Sequence, residues 1–273
     1  MAHTRPDLRT LLRIDPGSRV SLGAIDPNET HGYDKGSAAS IAAADVDRLT
    51  AIQDVIWAEH RHRVLIVLQG IDASGKDGTI RHVLSAFNPL GCRAVGFGIP
   101  TPRELAHDYL WRIHAEVPGD GEIVVFNRSQ YESVLVERVQ GLVPEAVWSR
   151  RYDEINDFER LLADEGTTIL KFFLHIDEAE QLARFRARLV DPTKRWKFNP
   201  GDLDDRKLWP QYEAAFEDAL SHCSTDVAPW YLIPANRKWF RDLAVGEIVA
   251  GALEGLRPVY PPRPDLPAPS AIG

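Results

Sequence analysis

The chain has 273 residues, of which 44% are hydrophobic, so it can bury one large core, and no segment demands a second domain. No apolar run approaches the roughly 20 residues of a membrane span. A formal net charge of −8 argues against a general nucleic-acid binder, although a polyanionic substrate remains compatible with locally concentrated positive charge. The first nine residues lack the apolar core of a signal peptide, so we expect a cytoplasmic protein that does not bind membranes.

The two ends of the chain differ in composition from its middle. Residues 1–37 are rich in Asp, Pro, Gly and charge, and this predicts an extended arm with little regular structure. A helix is predicted from Ser37 to about His60, because an apolar stripe faces a charged side. Residues 257–273 contain repeated prolines, so we expect an extended or disordered tail.

Between these ends, short apolar segments alternate with helical patterns. The predicted strands are 64–68, 93–97, 122–126, 168–176 and 230–233, and the predicted helices are 77–87, 102–115, 129–139, 144–164, 177–189, 203–222 and 237–255. Such an alternation predicts an α/β fold with a parallel sheet covered by helices on both faces. Ligands of such sheets bind at the carboxyl ends of the strands.

The sequence GIDASGKDG at 70–78 directly follows the first predicted strand and has the form of a phosphate-binding loop. Backbone N–H groups and the positive end of the next helix would face an anion. Glycines let the backbone curl around phosphate oxygens, and the lysine adds a movable charge. The alternative is a tight strand-to-helix turn with an exposed lysine. The predicted phosphate-binding residues of the loop are Gly70, Ala73, Ser74, Gly75, Lys76, Asp77 and Gly78.

The loop also carries two carboxylates. Asp77 stands where a nucleotide-triphosphate loop has the Ser or Thr that holds magnesium, and Asp72 lies inside the loop. Two carboxylates beside a phosphate would repel it unless a divalent cation lay between them. We therefore predict a site for a phosphate and a divalent cation.

A polar pair, Asn127 and Arg128, ends the third predicted strand. Nucleotide-triphosphate enzymes place an Asp there to hold magnesium, directly or through water, so Asn127 could contact the metal through water. Arg128 can pair bidentately with phosphate oxygens. Ser129 could equally cap a helix here, and both interpretations can hold together. Further along, Glu137 and Arg138 taken alone favour a solvated ion pair.

The segment 184–209 is strongly basic and is interrupted by Asp191-Pro192 and Asn199-Pro200-Gly201. This construction is typical of a kinase lid, which folds its cations over transferring phosphates and expels water. A charged surface helix is the alternative. It fits the acidic residues near the arginines, but not the cluster from Lys194 to Lys197, for which the sequence offers no acidic partner nearby. The predicted phosphate-binding cations of this segment are Arg188, Lys194, Arg195 and Lys197.

Three motifs in this order resemble the family-2 polyphosphate kinases: G-x-D-x-x-G-K-x-G at 70–78, FNRSQYE at 126–132 and RLVDPTKRWKFNP at 188–200. The match covers roughly 35–255. The resemblance implies a P-loop kinase domain at 38–256, a three-layer α/β/α sandwich with a helical lid at about 184–209. It also implies magnesium-dependent phosphate transfer between inorganic polyphosphate and nucleotides.

The resemblance further implies individual roles. Asp72 and Lys76 would act in the loop, with Asp72 as the ligand of Mg²⁺ or, as an alternative, of Mn²⁺. Asn127 and Arg128 would serve the metal and the phosphate. Glu137 would belong to the site, and Lys194, Arg195 and Lys197 to the lid.

The residues at and after the end of the third predicted strand bear on the choice of acceptor nucleotide. Asn127 followed by Tyr131-Glu132 resembles the third group of the family, associated with acceptance of both AMP and ADP, whereas the first group has Asp in place of Asn127. ATP would be the product, or the donor of the reverse reaction, and guanine nucleotides are further candidate substrates. The family also suggests a homo-oligomer, either a dimer or a tetramer.

Two rival functions remain open. One is an ATP-dependent nucleotide kinase of thymidylate-kinase type, against which the absence of Ser or Thr after Lys76 speaks. The other is a non-catalytic polyphosphate or nucleotide sensor, which the full set of charged residues disfavours.

Overall fold

The computed structural model describes residues 6–263 and Leu266, in which five strands form one parallel sheet. The strands are β1 (Arg63–Gln69), β2 (Cys92–Gly96), β3 (Ile123–Asn127), β4 (Thr167–His175) and β5 (Trp230–Pro234). Their order across the sheet is β2-β3-β1-β4-β5. All five predicted strands and the parallel sheet are confirmed.

The longer helices cover the two faces of the sheet. They are α2 (Lys35–Glu59), α3 (Lys76–Leu84), α8 (Arg151–Asp164), α9 (Glu178–Val190), α11 (Trp209–Cys223) and α12 (Lys238–Gly255). Shorter α-helices are α1 (Leu8–Leu11), α4 (Pro102–Leu105), α5 (Trp111–His114), α6 (Val136–Val139), α7 (Glu145–Trp148) and α10 (Gly201–Lys207), and 3-10 helices lie at Leu22–Ala24, Gln130–Ser133 and Arg195–Lys197. None of the helices in the described part of the chain is long and apolar enough to cross a bilayer.

Four helices predicted as continuous are interrupted, and here the prediction was wrong. The segment 102–115 breaks because the Asp108 carboxylate accepts the backbone N–H of Leu110, a local turn that competes with the helix. The segment 203–222 is divided at Leu208, two residues before Pro210, which cannot donate a backbone hydrogen bond. The segments 129–139 and 144–164 likewise divide into shorter pieces.

The core lies in two layers because successive side chains of β1 point to opposite faces. Val64, Ile66 and Leu68 belong to the apolar cluster under α2, α3 and α12. Leu65 and Val67 belong to the cluster under α8 and α11. The fold is thus a three-layer α/β/α sandwich, as predicted.

The N-terminal residues pack against the sheet edge. Arg13 forms an antiparallel bridge with Tyr231 of β5, and the Ile14 N–H donates to the Trp230 carbonyl at 2.9 Å. The boundary that the sequence assigned to this arm stays a prediction. At the other end, residues 257–263 form no helix or strand, and the remainder of the predicted tail, apart from Leu266, lies outside the described residues.

Candidate active site

The glycine-rich loop lies at the carboxyl end of β1, between the ends of β3 and β4. Two of its glycines are required by geometry. Gly70 has φ 151°, and a Cβ there would lie 2.8 Å from the Leu174 carbonyl oxygen. Gly75 has φ 112°, and a Cβ would lie 1.8 Å from a guanidinium nitrogen of Arg241. The backbone can therefore take this turn only without side chains at these positions.

Lys76 begins α3 and folds back across the loop instead of facing solvent. The alternative interpretation, a strand-to-helix turn with an exposed lysine, was therefore wrong. Lys76 is 8% exposed, and its Nζ donates to the Gly70 carbonyl oxygen at 2.6 Å. Burial, with a contribution from the nearby Arg128 charge, lowers the pKa of Lys76 to about 8, against the opposing effect of Asp72. A cation held in this way is already desolvated beside the loop N–H groups.

Arg128 follows β3 and has a left-handed backbone, with φ 67°. The register that pairs Asn127 with Leu68 brings the end of β3 beside the loop. There the Arg128 guanidinium donates to Asp72 Oδ1 at 2.7 Å and to Glu132 Oε2 at 3.0 Å. The sequence predicted Arg128 and Asp72 as site residues, and the fold brings them into direct contact.

Asp77 links three parts of the site. Its Oδ1 accepts from the Asn127 amide at 3.0 Å, and its Oδ2 accepts from Lys197 Nζ at 2.8 Å. Burial acts to raise its pKa, but the hydrogen bonds from Lys197 and Asn127 outweigh this and lower the pKa below its usual value. Asp77 is therefore an anion that connects the loop helix, the strand end and the lid.

The basic segment crosses the front of the loop as α9, a 3-10 helix and α10. Lys194 pairs with Asp191 at 2.7 Å and Lys197 with Asp77 at 2.8 Å, so the expectation that this cluster has no acidic partner was wrong. Arg195 donates to the Leu189 carbonyl at 2.8 Å.

A cleft of about 700 Å³ lies between the loop and this segment. Of the predicted residues it is lined by Asp72, Ala73, Gly75, Lys76, Asp77, Gly78, Asn127, Arg128, Arg188, Lys194 and Lys197. Gly70 lines a smaller neighbouring cavity that also contains Asp72 and Arg128. Among the described residues, Ser74 and Arg195 lie outside the lining of the large cleft. The fold thus brings together predicted residues from three separate parts of the chain, at 72–78, 127–128 and 188–197.

Glu137 lies outside the lining of the cleft and lines a second cavity of about 210 Å³. Its carboxylate accepts from Arg151 at 2.7 Å, whereas Arg138 pairs with Asp218 at 2.7 Å. The solvated Glu137–Arg138 pair expected from these residues alone was therefore wrong. Glu132 also lines this second cavity, so the Arg128–Glu132 contact lies between the two spaces.

Two arginines shape the loop, and sequence reasoning placed Arg184 only in the basic segment and missed Arg241. Arg184, 8% exposed, donates to the Ala73 and Ser74 carbonyls at 2.8 and 2.7 Å, and burial lowers its pKa. Arg241, on α12, packs against Gly75 and lines the cleft. Its position just beyond β5 is the available signal, because strand carboxyl ends mark the ligand edge of a parallel sheet.

The donors in the cleft fit a magnesium ion that is shared with phosphates. Within residues 6–263 and Leu266, no group of three or more His, Cys, Asp or Glu residues forms a ready-made metal cage. Mg²⁺ does not need one, because it commonly uses one or two carboxylates together with substrate phosphates and water. Asp72 is such a carboxylate on the cleft wall, whereas both oxygens of Asp77 already accept hydrogen bonds.

A glycine-rich loop at the end of a central parallel strand, faced by a basic lid, defines a protein of the P-loop kinase class. Residues 34–258 match the family model described as Polyphosphate kinase 2 (PPK2). The chain belongs to the polyphosphate kinase 2 family.

Individual relatives agree with this assignment. The AMP/ADP-polyphosphate phosphotransferase of Meiothermus ruber is 53% identical over 91% of this chain and 94% of its own length. The ADP-polyphosphate phosphotransferase of Rhodopseudomonas palustris is 41% identical over 91% of each chain. The crystal structure of Polyphosphate Kinase 2 from Arthrobacter aurescens TC1 superposes with a TM-score of 0.93 at 40% identity, covering 99% of this chain and 96% of that one.

Proposed function

We propose that this protein transfers the terminal phosphoryl group of inorganic polyphosphate to AMP and ADP, reversibly and with Mg²⁺. The observation that carries the proposal is the charge of the cleft within an acidic chain. The acidic residues of its lining are Asp72, Asp77 and Asp202, and the more numerous basic ones are Lys76, Arg81, Arg128, Arg184, Arg188, Lys194, Lys197, Lys238 and Arg241. A long polyanion can contact many of these cations at once, which a single nucleotide cannot do.

The two cavities suggest separate places for donor and acceptor. Polyphosphate would lie in the basic cleft, and the nucleoside of the acceptor would occupy the second cavity, between the segments that follow β2 and β3. That cavity has both apolar and charged walls, among them Ile113, Tyr109 and Arg112, as a base and a ribose require. Arg128 would contact the phosphate that moves between the two sites.

The proposed reaction needs alignment and charge neutralisation more than covalent chemistry. An oxygen of the acceptor phosphate attacks the terminal phosphorus of polyphosphate, the bond to the next bridging oxygen breaks, and the polyphosphate chain shortens by one unit. The transition state is loose, and its charge is spread over the outer oxygens. Lys76 and Arg128 would stabilise that charge, and the lid cations would exclude water. A magnesium ion, when bound through Asp72, would supply further charge neutralisation.

Acceptance of both AMP and ADP is supported by the neutral amide of Asn127, which donates to Asp77 instead of adding a second carboxylate. We extend the proposal to ATP as donor in the reverse direction and to guanine nucleotides as additional acceptors. We also propose that the protein is cytoplasmic and forms a homo-oligomer, either a dimer or a tetramer. Light scattering of the purified protein measures the oligomeric state.

One assay tests the function against its rivals. The protein is incubated with AMP or ADP and Mg²⁺, with either polyphosphate or ATP as donor, and the nucleotides are separated by chromatography. We expect ADP from AMP and ATP from ADP when polyphosphate is the donor. Product formed with ATP alone would identify a nucleotide kinase, and binding without any product would identify a sensor.

A further inference from the structure

A charged cluster is buried in the core, one layer away from the reacting groups. Lys171 on β4 is 0% exposed, and its Nζ donates to Tyr131 Oη at 2.8 Å, to Glu159 at 2.5 Å and to the Cys223 carbonyl at 2.6 Å. The ammonium group also lies 5.1 Å from the centre of the Trp230 ring. All three of its hydrogens thus have partners.

Glu159 on α8 extends the cluster to the segment that follows β3. Its Oε1 accepts from Tyr131 Oη at 2.8 Å and from the Gln130 side-chain amide at 2.9 Å. Tyr131 and Gln130 belong to the 3-10 helix Gln130–Ser133. The cluster therefore ties this short helix to β4 and α8, two elements of the rigid core.

Stability alone is a weak explanation for such a cluster. Replacing a buried ion pair by apolar residues of similar volume is often neutral or stabilising, whereas in some proteins buried polar groups fix one conformation. A residue with an unfavourable backbone conformation lies next to the cluster. Arg128, two residues before Gln130, has a left-handed backbone with φ 67°. A non-glycine residue keeps such a backbone only when its surroundings enforce it.

The same 3-10 helix also carries Glu132, which accepts from Arg128 at 3.0 Å. Ser129, between Arg128 and the helix, accepts a hydrogen bond from Gln69 at 3.1 Å. A shift of the helix would therefore move both the backbone and the carboxylate that orient the Arg128 guanidinium.

We propose that Lys171, Glu159, Tyr131 and Gln130 form a positioning network that holds Arg128 in its strained backbone conformation, with its guanidinium aimed at the transferred phosphoryl group. This inference rests on the proposed phosphotransfer. None of the four touches the reacting atoms, and they act through Arg128. Through this network the buried ion pair fixes the orientation of the Arg128 side chain, which would contact the transferred group.

The test cuts the links between the 3-10 helix and Glu159 but keeps the Lys171–Glu159 pair. Gln130→Met removes the amide that donates to Glu159 Oε1 but leaves the Tyr131 hydroxyl on the same oxygen, and it also removes Gln130 Oε1, which is buried without a hydrogen-bond partner among the described residues. Combined with Tyr131→Phe, it should lower kcat by about tenfold or more while the KM values for ADP and polyphosphate change much less. Gln53→Met is the matched control. Gln53 is also fully buried, with an amide nitrogen that has no partner in the described part of the chain, but it lies on α2 across the sheet, and kcat should stay unchanged.

A double-mutant cycle shows whether the network acts through Arg128. In an Arg128→Ala background, Tyr131→Phe should cause no further loss of kcat, because the group that it positions is gone. An equal loss in both backgrounds would overturn the inference. So would wild-type kcat in the Tyr131→Phe/Gln130→Met protein, and if that protein does not fold, Gln130→Met alone decides in the same way. A wild-type chain unable to use polyphosphate would instead refute the proposed function.

Discussion

Replacing Asn127 by Asp tests both the site and the choice of acceptor. Asn127 Nδ2 donates to Asp77 Oδ1 at 3.0 Å, so the substitution removes a donor and sets two carboxylates against each other. At 3.0 Å two unit charges repel by roughly 1.4 kcal/mol in water and by ~5.5 kcal/mol at an effective dielectric constant of about 20. The Asp77 side chain is 57% exposed and Lys197 contacts its other oxygen, so the low end of that range applies.

The lost hydrogen bond adds about 1 kcal/mol, and together the two effects should destabilise the protein by about 2 kcal/mol. For a chain of this size the melting temperature then falls by roughly 3–4 °C. Mg²⁺ should recover most of this loss in the variant and have a smaller effect on the wild type, because a divalent cation between two carboxylates removes their repulsion. The same added charge should shift the ratio of the AMP and ADP rates towards ADP.

Thermal melts with and without Mg²⁺, and parallel AMP and ADP assays, measure these effects. Asn28→Asp is a matched control, since the Asn28 amide donates to Asp26 at 3.2 Å in the N-terminal arm, away from the cleft. That variant should leave the ratio of rates unchanged. If Asn127→Asp melts like the wild type, responds equally to Mg²⁺ and keeps the same ratio, the assignment of Asn127 to the site is refuted.

Three further changes have distinct expected outcomes. Lys76→Ala should lower kcat by about 10³-fold or more with little change in melting temperature, since the ammonium is held at the loop by a bond to a backbone carbonyl and contributes charge to the transition state. Full activity at wild-type stability would refute the phosphate site. Lys197→Gln should raise the KM for polyphosphate several-fold more than Arg195→Gln, because Lys197 lines the cleft and Arg195 does not, and equal effects would contradict the observed lid geometry. Asp45 is 2% exposed, and burial together with the Glu247 charge raises its pKa to about 6. Because the folded state then binds a proton more tightly than the unfolded chain, stability falls as pH rises from about 4 to 6, and Asp45→Asn should gain about 1–3 kcal/mol above pH 6 and none below pH 4. Melting curves between pH 4 and 8 check this, and a gain that does not depend on pH would contradict it.

Much of the fold was readable from local patterns. A run such as 64–68 is apolar because both faces of its strand are covered, and this requirement is visible in the sequence without knowledge of the strand's neighbours. The phosphate loop could be predicted for the same reason, since its glycines are required by the local backbone geometry. The interruption of a helix by a side-chain turn, as at Asp108, could not be predicted from the sequence. The hydrogen bond that competes with the helix leaves a weaker pattern in the sequence than the helical periodicity around it.

The partners within the site were decided by the tertiary structure. Asp77 meets Lys197 and Arg128 meets Asp72 because the order β2-β3-β1-β4-β5 brings the ends of β1 and β3 together and folds α9 and its following segment over them. The sequence alone named most of these residues, since each has a chemistry suited to phosphate or metal. It could not tell that Arg184 supports the loop or that Glu137 pairs with Arg151, because an ion pair depends on distances between elements far apart in the chain. Residue type and local spacing determine what a side chain can do, and the packing of the sheet and its helices determines which partner it meets.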